Sequence, residues 1–275
     1  DSSTSRGLGD VYKRQTYQVA PQVFAELGAS VVEVGAEPDG FNINEGVGST
    51  SPAALQEKVL SEQADAGIAF DGDGDRVQCV AADGSVVDGD ELLFIIAMDR
   101  VRRGGIVEGV VGTQMTNLGM EQGLAEHGIS LVRAGVGDRH VLAAMSQKGW
   151  LLGGEASGHI ICGDVATTGD GIIAALQVLA AMIGSGESLL SLKSGMCKLP
   201  QTMINVPIAA GFELTQCAPA LAESERVEAL LADRGRLVLR PSGTEPVIRV
   251  MIEGRDAAEN LQLAEGLAEV IRQSV

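Results

Sequence analysis

From Thr16 onward, short β-branched and apolar runs alternate with stretches of helical period. APQVFAELGA (20–29) predicts a helix stopped near Gly28, and SVVEVG (30–35) predicts a buried strand. SPAALQEKVLSEQ (51–63) predicts a helix with Ser51 as its cap and Pro52 at its first position. AGIAF (66–70) is an apolar strand that runs directly into an Asp-Gly loop, and VQCVAADGSVV (77–87) predicts a hairpin turning at Asp83-Gly84. A second stretch then alternates helix and strand. Helices are predicted over 91–103, 117–128, 139–149 and 171–184, strands over 105–112 and 130–135, and a strand plus loop over 150–161. Such alternation implies parallel βαβ units, whose ligands sit at the carboxyl ends of strands. A third stretch predicts strands over 201–208, 236–240 and 246–255. Its helices are expected over 224–233 and 256–273, the latter capped by Asp256, in a smaller α+β unit.

These changes of pattern divide the chain into 16–88, 89–196 and 197–275. Residues 1–15, DSSTSRGLGDVYKRQ, lack periodicity and are set aside as a non-native or disordered leader. The 275 residues carry a net charge of −17 with no basic run, which argues against nucleic-acid binding. No apolar run reaches the ~18 residues of a membrane span. The four cysteines lie far apart without a C-x-x-C pair, so free thiols in a reducing, cytoplasmic setting are expected. Oligomeric state leaves no trace in the sequence.

Chemistry concentrates in the loops after strands. FDGDGDR (70–76) places Asp71, Asp73 and Asp75 at alternate positions separated by glycines. Converging carboxylates are hard ligands for Mg²⁺, Ca²⁺ or Mn²⁺. An EF-hand also opens D-x-D-x-D, but its required Gly and Glu positions hold Arg76 and Ala82. A phosphatase nucleophile motif lacks its downstream context, and a solvated Asp-Gly turn is the bland alternative. Arg76 either grips a phosphate bridging to the metal or forms a plain salt bridge to an aspartate. In RPSGTEPVIR (240–249), Arg240, Ser242, Gly243 and Thr244 offer a guanidinium fork, hydroxyls and inward backbone N–H groups, the donor set for a phosphate monoester. A polar hairpin turn is the alternative there. In GGEASGH (153–159), Glu155, Ser157 and His159 alternate along an expected extended stretch, so a shared face could read sugar hydroxyls. His127 and His140 read as structural. GVGDR (135–139) and ATTGDG (166–171) fit helix starts, the latter capped by Thr168 or Asp170.

Taken in order, DGDGDR, GEASGH and RPSGTEP resemble the metal, sugar and phosphate loops of the α-D-phosphohexomutase superfamily, over about residue 16 to the C-terminus. Within it, NIN (42–44), GVGDR and TTGDG are similar to the glucosamine-phosphate branch rather than the mannose- or glucose-phosphate branches. The resemblance implies consecutive mixed-sheet α/β/α domains plus a smaller C-terminal α+β domain, part of a four-domain fold around a cleft. Residues 16–88 would be the later part of domain II, 89–196 domain III and 197–275 domain IV. The implied reaction interconverts the 6- and 1-phosphates of a hexosamine through a phosphoserine and a bisphosphate intermediate, feeding cell-wall precursor synthesis. Mg²⁺ would sit on Asp71, Asp73 and Asp75, with Arg76 holding the transferring group. Glu155 and Ser157 would bind sugar hydroxyls, with His159 supporting that loop or the nearby phosphate. Gly137 and Asp138 match a sugar-reading loop. Arg240, Ser242, Gly243 and Thr244 would anchor the non-reacting phosphate, with Arg249 a weaker addition. No stretch matches the family's phosphoserine motif, so the chain as given is expected to be inactive alone, a binder of metal and phosphosugar.

Overall fold

The computed structural model describes residues 8–9, 16, 18–35, 46–209, 212–242 and 245–274. They divide into two units, Asp1–Thr116 with Met120–Cys197, and Asn117–Gly119 with Lys198–Val275.

The larger unit opens with β1 (Leu8–Gly9), α1 (Val19–Glu26), β2 (Val31–Val32), α2 (Ala53–Glu62), β3 (Ala66–Phe70), β4 (Val77–Ala81) and β5 (Val86–Val87). These strands make a mixed sheet ordered β2-β1-β3-β4-β5. β1 is parallel to β2 and β3, and β3–β4–β5 is an antiparallel meander. All five residues of β3 are buried, as expected for an apolar run covered on both faces. Its last residue, Phe70, stacks on Phe24 of α1 with ring centroids 6.5 Å apart, which anchors the start of the Asp-Gly loop.

The same unit continues with α3 (Gly89–Arg102), β6 (Gly109–Thr113), α4 (Leu118–Glu126), β7 (Ser130–Ala134), α5 (Asp138–Lys148), β8 (Leu152–Gly154), β9 (Ile160–Cys162), α6 (Gly171–Ser185) and α7 (Leu189–Lys193). Here the sheet order is β7-β6-β8-β9, parallel except for the β8–β9 hairpin. A capping box starts α3: the Asp88 carboxylate accepts from the Asp90 and Glu91 N–H groups, and the Glu91 carboxylate accepts from the Asp88 N–H at 3.0 Å. Leu92 to Ala97 are all buried, and a helix apolar on every side belongs inside a core. With α6 it forms one hydrophobic core that takes residues from both sheets.

The smaller unit holds β10 (Gln201–Pro207), α8 (Ala218–Leu231), β11 (Gly235–Pro241), β12 (Val247–Gly254) and α9 (Ala257–Arg272). Its sheet is antiparallel in the order β10-β12-β11, with α8 and α9 contributing to its core. Asp256 caps α9 by accepting from Ala258 and Glu259 N–H.

Several expectations need correction. Ser51 does not cap α2. That helix begins at Ala53, Pro52 occupies the N-cap, and no side chain closes it. The strand expected over 30–35 shrinks to the half-buried pair Val31–Val32. Leu8–Gly9, inside the segment set aside as a leader, pairs between β2 and β3; two residues carry no period to read. The short helix α7 was not anticipated. Among the described residues, no helix is long and apolar enough to cross a membrane. Cys79, Cys162 and Cys217 are buried free thiols and Cys197 is exposed; burial pushes Cys79 up to about 12.

Candidate active site

The loop from β3 to β4 folds back on itself. The Asp71 N–H donates to the Arg76 carbonyl at 3.4 Å, and the Gly74 N–H donates to the Asp71 carbonyl at 3.2 Å. Gly74 has φ +77°, a left-handed turn that an L side chain resists. The turn gathers Asp71, Asp73 and Asp75 so that one carboxylate oxygen from each lies within 4.8 Å of the others. Asp71 is buried, Asp75 half-buried and Asp73 exposed.

Burial raises the Asp71 carboxyl to about 6. The Arg76 N–H opposes that rise, while a hydrogen bond with Asp75 and the charges of Asp75 and Asp73 add to it. Asp75 Oδ1 is buried without a hydrogen-bond partner. Clustered carboxylates that leave a buried oxygen unpartnered fit a divalent cation, which would satisfy the oxygen and offset their mutual repulsion. Arg76 lies against the same carboxylates, its Nε 3.5 Å from Asp71 Oδ2 and 3.9 Å from Asp75 Oδ1. The plain salt-bridge alternative for Arg76 is therefore the contact seen in this structure.

The GGEASGH segment is not extended. After β8 it turns tightly, with the Gly158 N–H donating to the Glu155 carbonyl at 2.9 Å, and returns as β9. Gly158 has φ +96°, and a Cβ there would lie 2.0 Å from the Val77 carbonyl oxygen. The turn therefore separates the three side chains that an extended stretch would align. The half-buried Glu155 carboxylate accepts from the Gly137 N–H at 2.9 Å, which ties the sugar-loop candidate to GVGDR. Ser157 is exposed. His159 is buried, with Nε2 3.6 Å from Asp75 Oδ2 and Nδ1 without a partner. Asp138 starts α5 and is exposed, its carboxylate accepting from the Arg139 N–H at 2.7 Å.

Two of the three loops are thus stitched together. Arg76 and His159 form an antiparallel bridge, the Val77 N–H donates to the Gly158 carbonyl at 3.1 Å, and the Gly89 N–H donates to the Ala156 carbonyl at 3.1 Å.

The RPSGTEP loop belongs to the smaller unit, at the turn from β11 to β12. Arg240 and Arg249 are cross-strand partners, so two guanidinium groups sit opposite one another. Like charges so placed cost roughly 0.2–1 kcal/mol. The Nε of each is buried without a hydrogen-bond partner. One guanidinium nitrogen of Arg249 lies 3.2 Å from Glu245. The Ser242 N–H donates to the Val247 carbonyl at 2.9 Å. A paired, under-satisfied set of arginines fits an anion. Gly243, Thr244 and the NIN triplet at 42–44 lie outside the described residues.

Comparison with known proteins identifies the family. Residues 88–199 match the family model for phosphoglucomutase/phosphomannomutase, alpha/beta/alpha domain III, and residues 203–270 match that for the C-terminal domain. The phosphoglucosamine mutase of Thioalkalivibrio sulfidiphilus is 54% identical over 94% of this chain, and that of Nitrosococcus oceani is 52% identical over 98%. The chain belongs to the α-D-phosphohexomutase superfamily. It spans 58% and 60% of the lengths of those two relatives. Among solved structures, Aspergillus fumigatus N-acetylphosphoglucosamine mutase in complex with GlcNAc-6P and magnesium shares this phosphohexomutase fold. It aligns at TM-score 0.77 and 20% identity, covering 98% of this chain and 66% of that one. A phosphoglucomutase/phosphomannomutase family protein of Burkholderia thailandensis aligns at 0.78 and 21%, covering 98% and 60%.

In this phosphohexomutase chain the sugar-loop candidate lies inside the domain III match and the phosphate-loop candidate inside the C-terminal match. The Asp-Gly loop precedes both. Sequence reasoning passed over Gly169 and Gly171, which pack on the site from behind. The available signal was the pair of glycines flanking Asp170 ahead of an apolar helix.

Proposed function

We propose that this chain supplies the metal, sugar and phosphate loops of a phosphoglucosamine mutase, which interconverts glucosamine 6-phosphate and glucosamine 1-phosphate. The observation that carries this reading is the bridge between Arg76 and His159, which makes the acidic loop and the sugar-loop candidate one structure. The names of the relatives at 52–54% identity supply the sugar.

In this reading Asp71, Asp73 and Asp75 hold Mg²⁺. When bound, the ion neutralises charge on the phosphoryl group as it passes between a phosphoserine and the sugar. Arg76 would offer its guanidinium fork to that phosphoryl group. His159 holds Asp75 from one side. Glu155 fixes the Gly137–Asp138 loop through its hydrogen bond and, with Ser157, presents oxygens to sugar hydroxyls. Arg240, Ser242, Gly243, Thr244 and Arg249 anchor the phosphate that is not reacting. Transfer to the sugar gives a bisphosphate. It reorients and returns its other phosphate to the serine. In the chain's organisation, 16–88 corresponds to the later part of domain II, 89–196 to domain III and 197–275 to domain IV.

Because no stretch of these residues matches the phosphoserine motif, binding and turnover should separate. Calorimetry of this chain with Mg²⁺ is expected to show glucosamine 6-phosphate binding more tightly than glucose or mannose 6-phosphate, with no mutase turnover in a coupled assay. A reversed order would replace the substrate by a hexose phosphate of the same superfamily. Turnover by the chain alone would overturn the division between binding and catalysis.

A further inference from the structure

The TTGDG segment leading into α6 has no role in the site as described, yet it touches that site at two places. Gly169 is buried directly beside the His159 ring. A Cβ on Gly169 would lie 2.3 Å from Nε2, 2.5 Å from Cε1 and 2.6 Å from Cδ2 of that ring. Nε2 is the atom that faces Asp75 Oδ2 at 3.6 Å. Two residues on, the Gly171 N–H donates to the Gly74 carbonyl at 2.9 Å, at the tip of the acidic loop. A Cβ on Gly171 would lie 2.9 Å from the carbonyl oxygens of both Gly74 and Arg76 and 2.7 Å from the Phe70 ring. Between the two glycines, the Asp170 carboxylate accepts from the Ile173 N–H at 3.0 Å and fixes where α6 begins.

The first N–H of α6 is therefore occupied by the acidic loop's own carbonyl, and the helix start serves as a backing wall rather than an anion site. The wall is rigid because α6 is a fifteen-residue helix with its apolar face in the core.

We propose that Gly169 and Gly171 are positioning residues for the cation site. Gly169 seats the His159 ring so that Nε2 meets Asp75, and Gly171 fixes the turn at Gly74 that gathers the three carboxylates. The inference rests on the metal reading above and adds residues that touch neither metal nor substrate. Outer-shell partners of this kind change metal affinity by roughly 10- to 100-fold when lost.

Mn²⁺ serves as the probe, titrated calorimetrically into the whole 275-residue chain, with thermal unfolding recorded in parallel. Gly169→Ala is expected to weaken Mn²⁺ binding by on the order of tenfold, because the added methyl must push the ring off Asp75. If Gly169 works through His159, Gly169→Ala made on top of His159→Ala adds nothing further. The smaller side chain leaves room for the methyl, so this pair also reports if the single variant folds poorly. Gly171→Ala should weaken binding in either background. Unchanged Mn²⁺ affinity in Gly169→Ala, or effects of Gly169→Ala and His159→Ala that simply add, would overturn the positioning role while leaving the metal reading intact. A wild-type chain that binds no Mn²⁺, or binds it equally after Asp73→Ala, would overturn the metal reading and this inference with it.

Discussion

Asp71 is an acid whose proton the fold holds more tightly than water does. Burial raises its carboxyl from 3.8 to about 6, and neighbouring aspartates add to the rise. Between those values the metal-free folded chain binds a proton that the unfolded chain has released. The Asp71 contribution therefore makes the metal-free fold more stable as pH falls from neutral through about 6. Protons compete with cation at the same oxygens, so metal affinity falls over the same interval. Chemical unfolding without metal and Mn²⁺ titration across this range should move in opposite directions; parallel movement would remove Asp71 from the cluster. Arg240 makes the complementary case in a cationic pair. Facing Arg249 across the strands, it is repelled in the absence of a ligand and attracted by one. Arg240→Ala should leave the smaller unit's melting temperature unchanged or slightly raised and abolish its rise with added inorganic phosphate. A phosphate-dependent rise that survives would take this loop out of the site.

At the scale of elements, helix starts do much of the placing. Asp88 begins α3 with a capping box, and the next residue, Gly89, donates its N–H to the Ala156 carbonyl of the sugar-loop candidate. Removing an N-cap side chain costs about 0.5–2 kcal/mol. Asp88→Ala should lower the larger unit's stability by that amount and loosen the 153–159 turn, seen as faster hydrogen exchange at Gly158, whose N–H closes the turn. Unaltered exchange there would mean that α3 does not support the turn. The α6 start acts similarly, pressing glycines where any side chain would collide. The strands contribute through their ends: β3 delivers Asp71, β7 precedes Gly137, and β8 delivers Glu155. Loops at strand ends are expected to hold ligands in such sheets.

Across the whole molecule, the two units carry different chemistry: an acidic cluster with the sugar-loop candidate in the larger, an arginine pair in the smaller. Ligands that bind only the folded form stabilise it by mass action. Calorimetric unfolding should therefore respond separately, with Mg²⁺ raising the larger unit's transition and inorganic phosphate the smaller one's. A single transition shifted by both ligands would show that the units unfold together.

Much of this was readable from residue order. Helical and strand periods located nearly every element longer than a few residues, because amphipathic patterning over ten or more positions outweighs local accidents. The three loops announced themselves by unusual residue combinations, and their order implied the family. Short pieces escaped for want of a period: β1, α7 and the half-buried β2. The Ser51 cap failed because Ser51 closes a preceding turn, its N–H donating to the Gly48 carbonyl at 2.8 Å, and the helix begins only at Ala53. The expected common face of Glu155, Ser157 and His159 failed for a related reason. Alternation aligns side chains only in extended chain, and the turn closed at Gly158 sends Glu155 to Gly137 and His159 to Asp75. Residue types and spacing pointed to the candidate chemistry. Long-range packing established which atoms meet, because contacts such as Gly169 on His159 and Gly171 on Gly74 join segments that no local pattern connects.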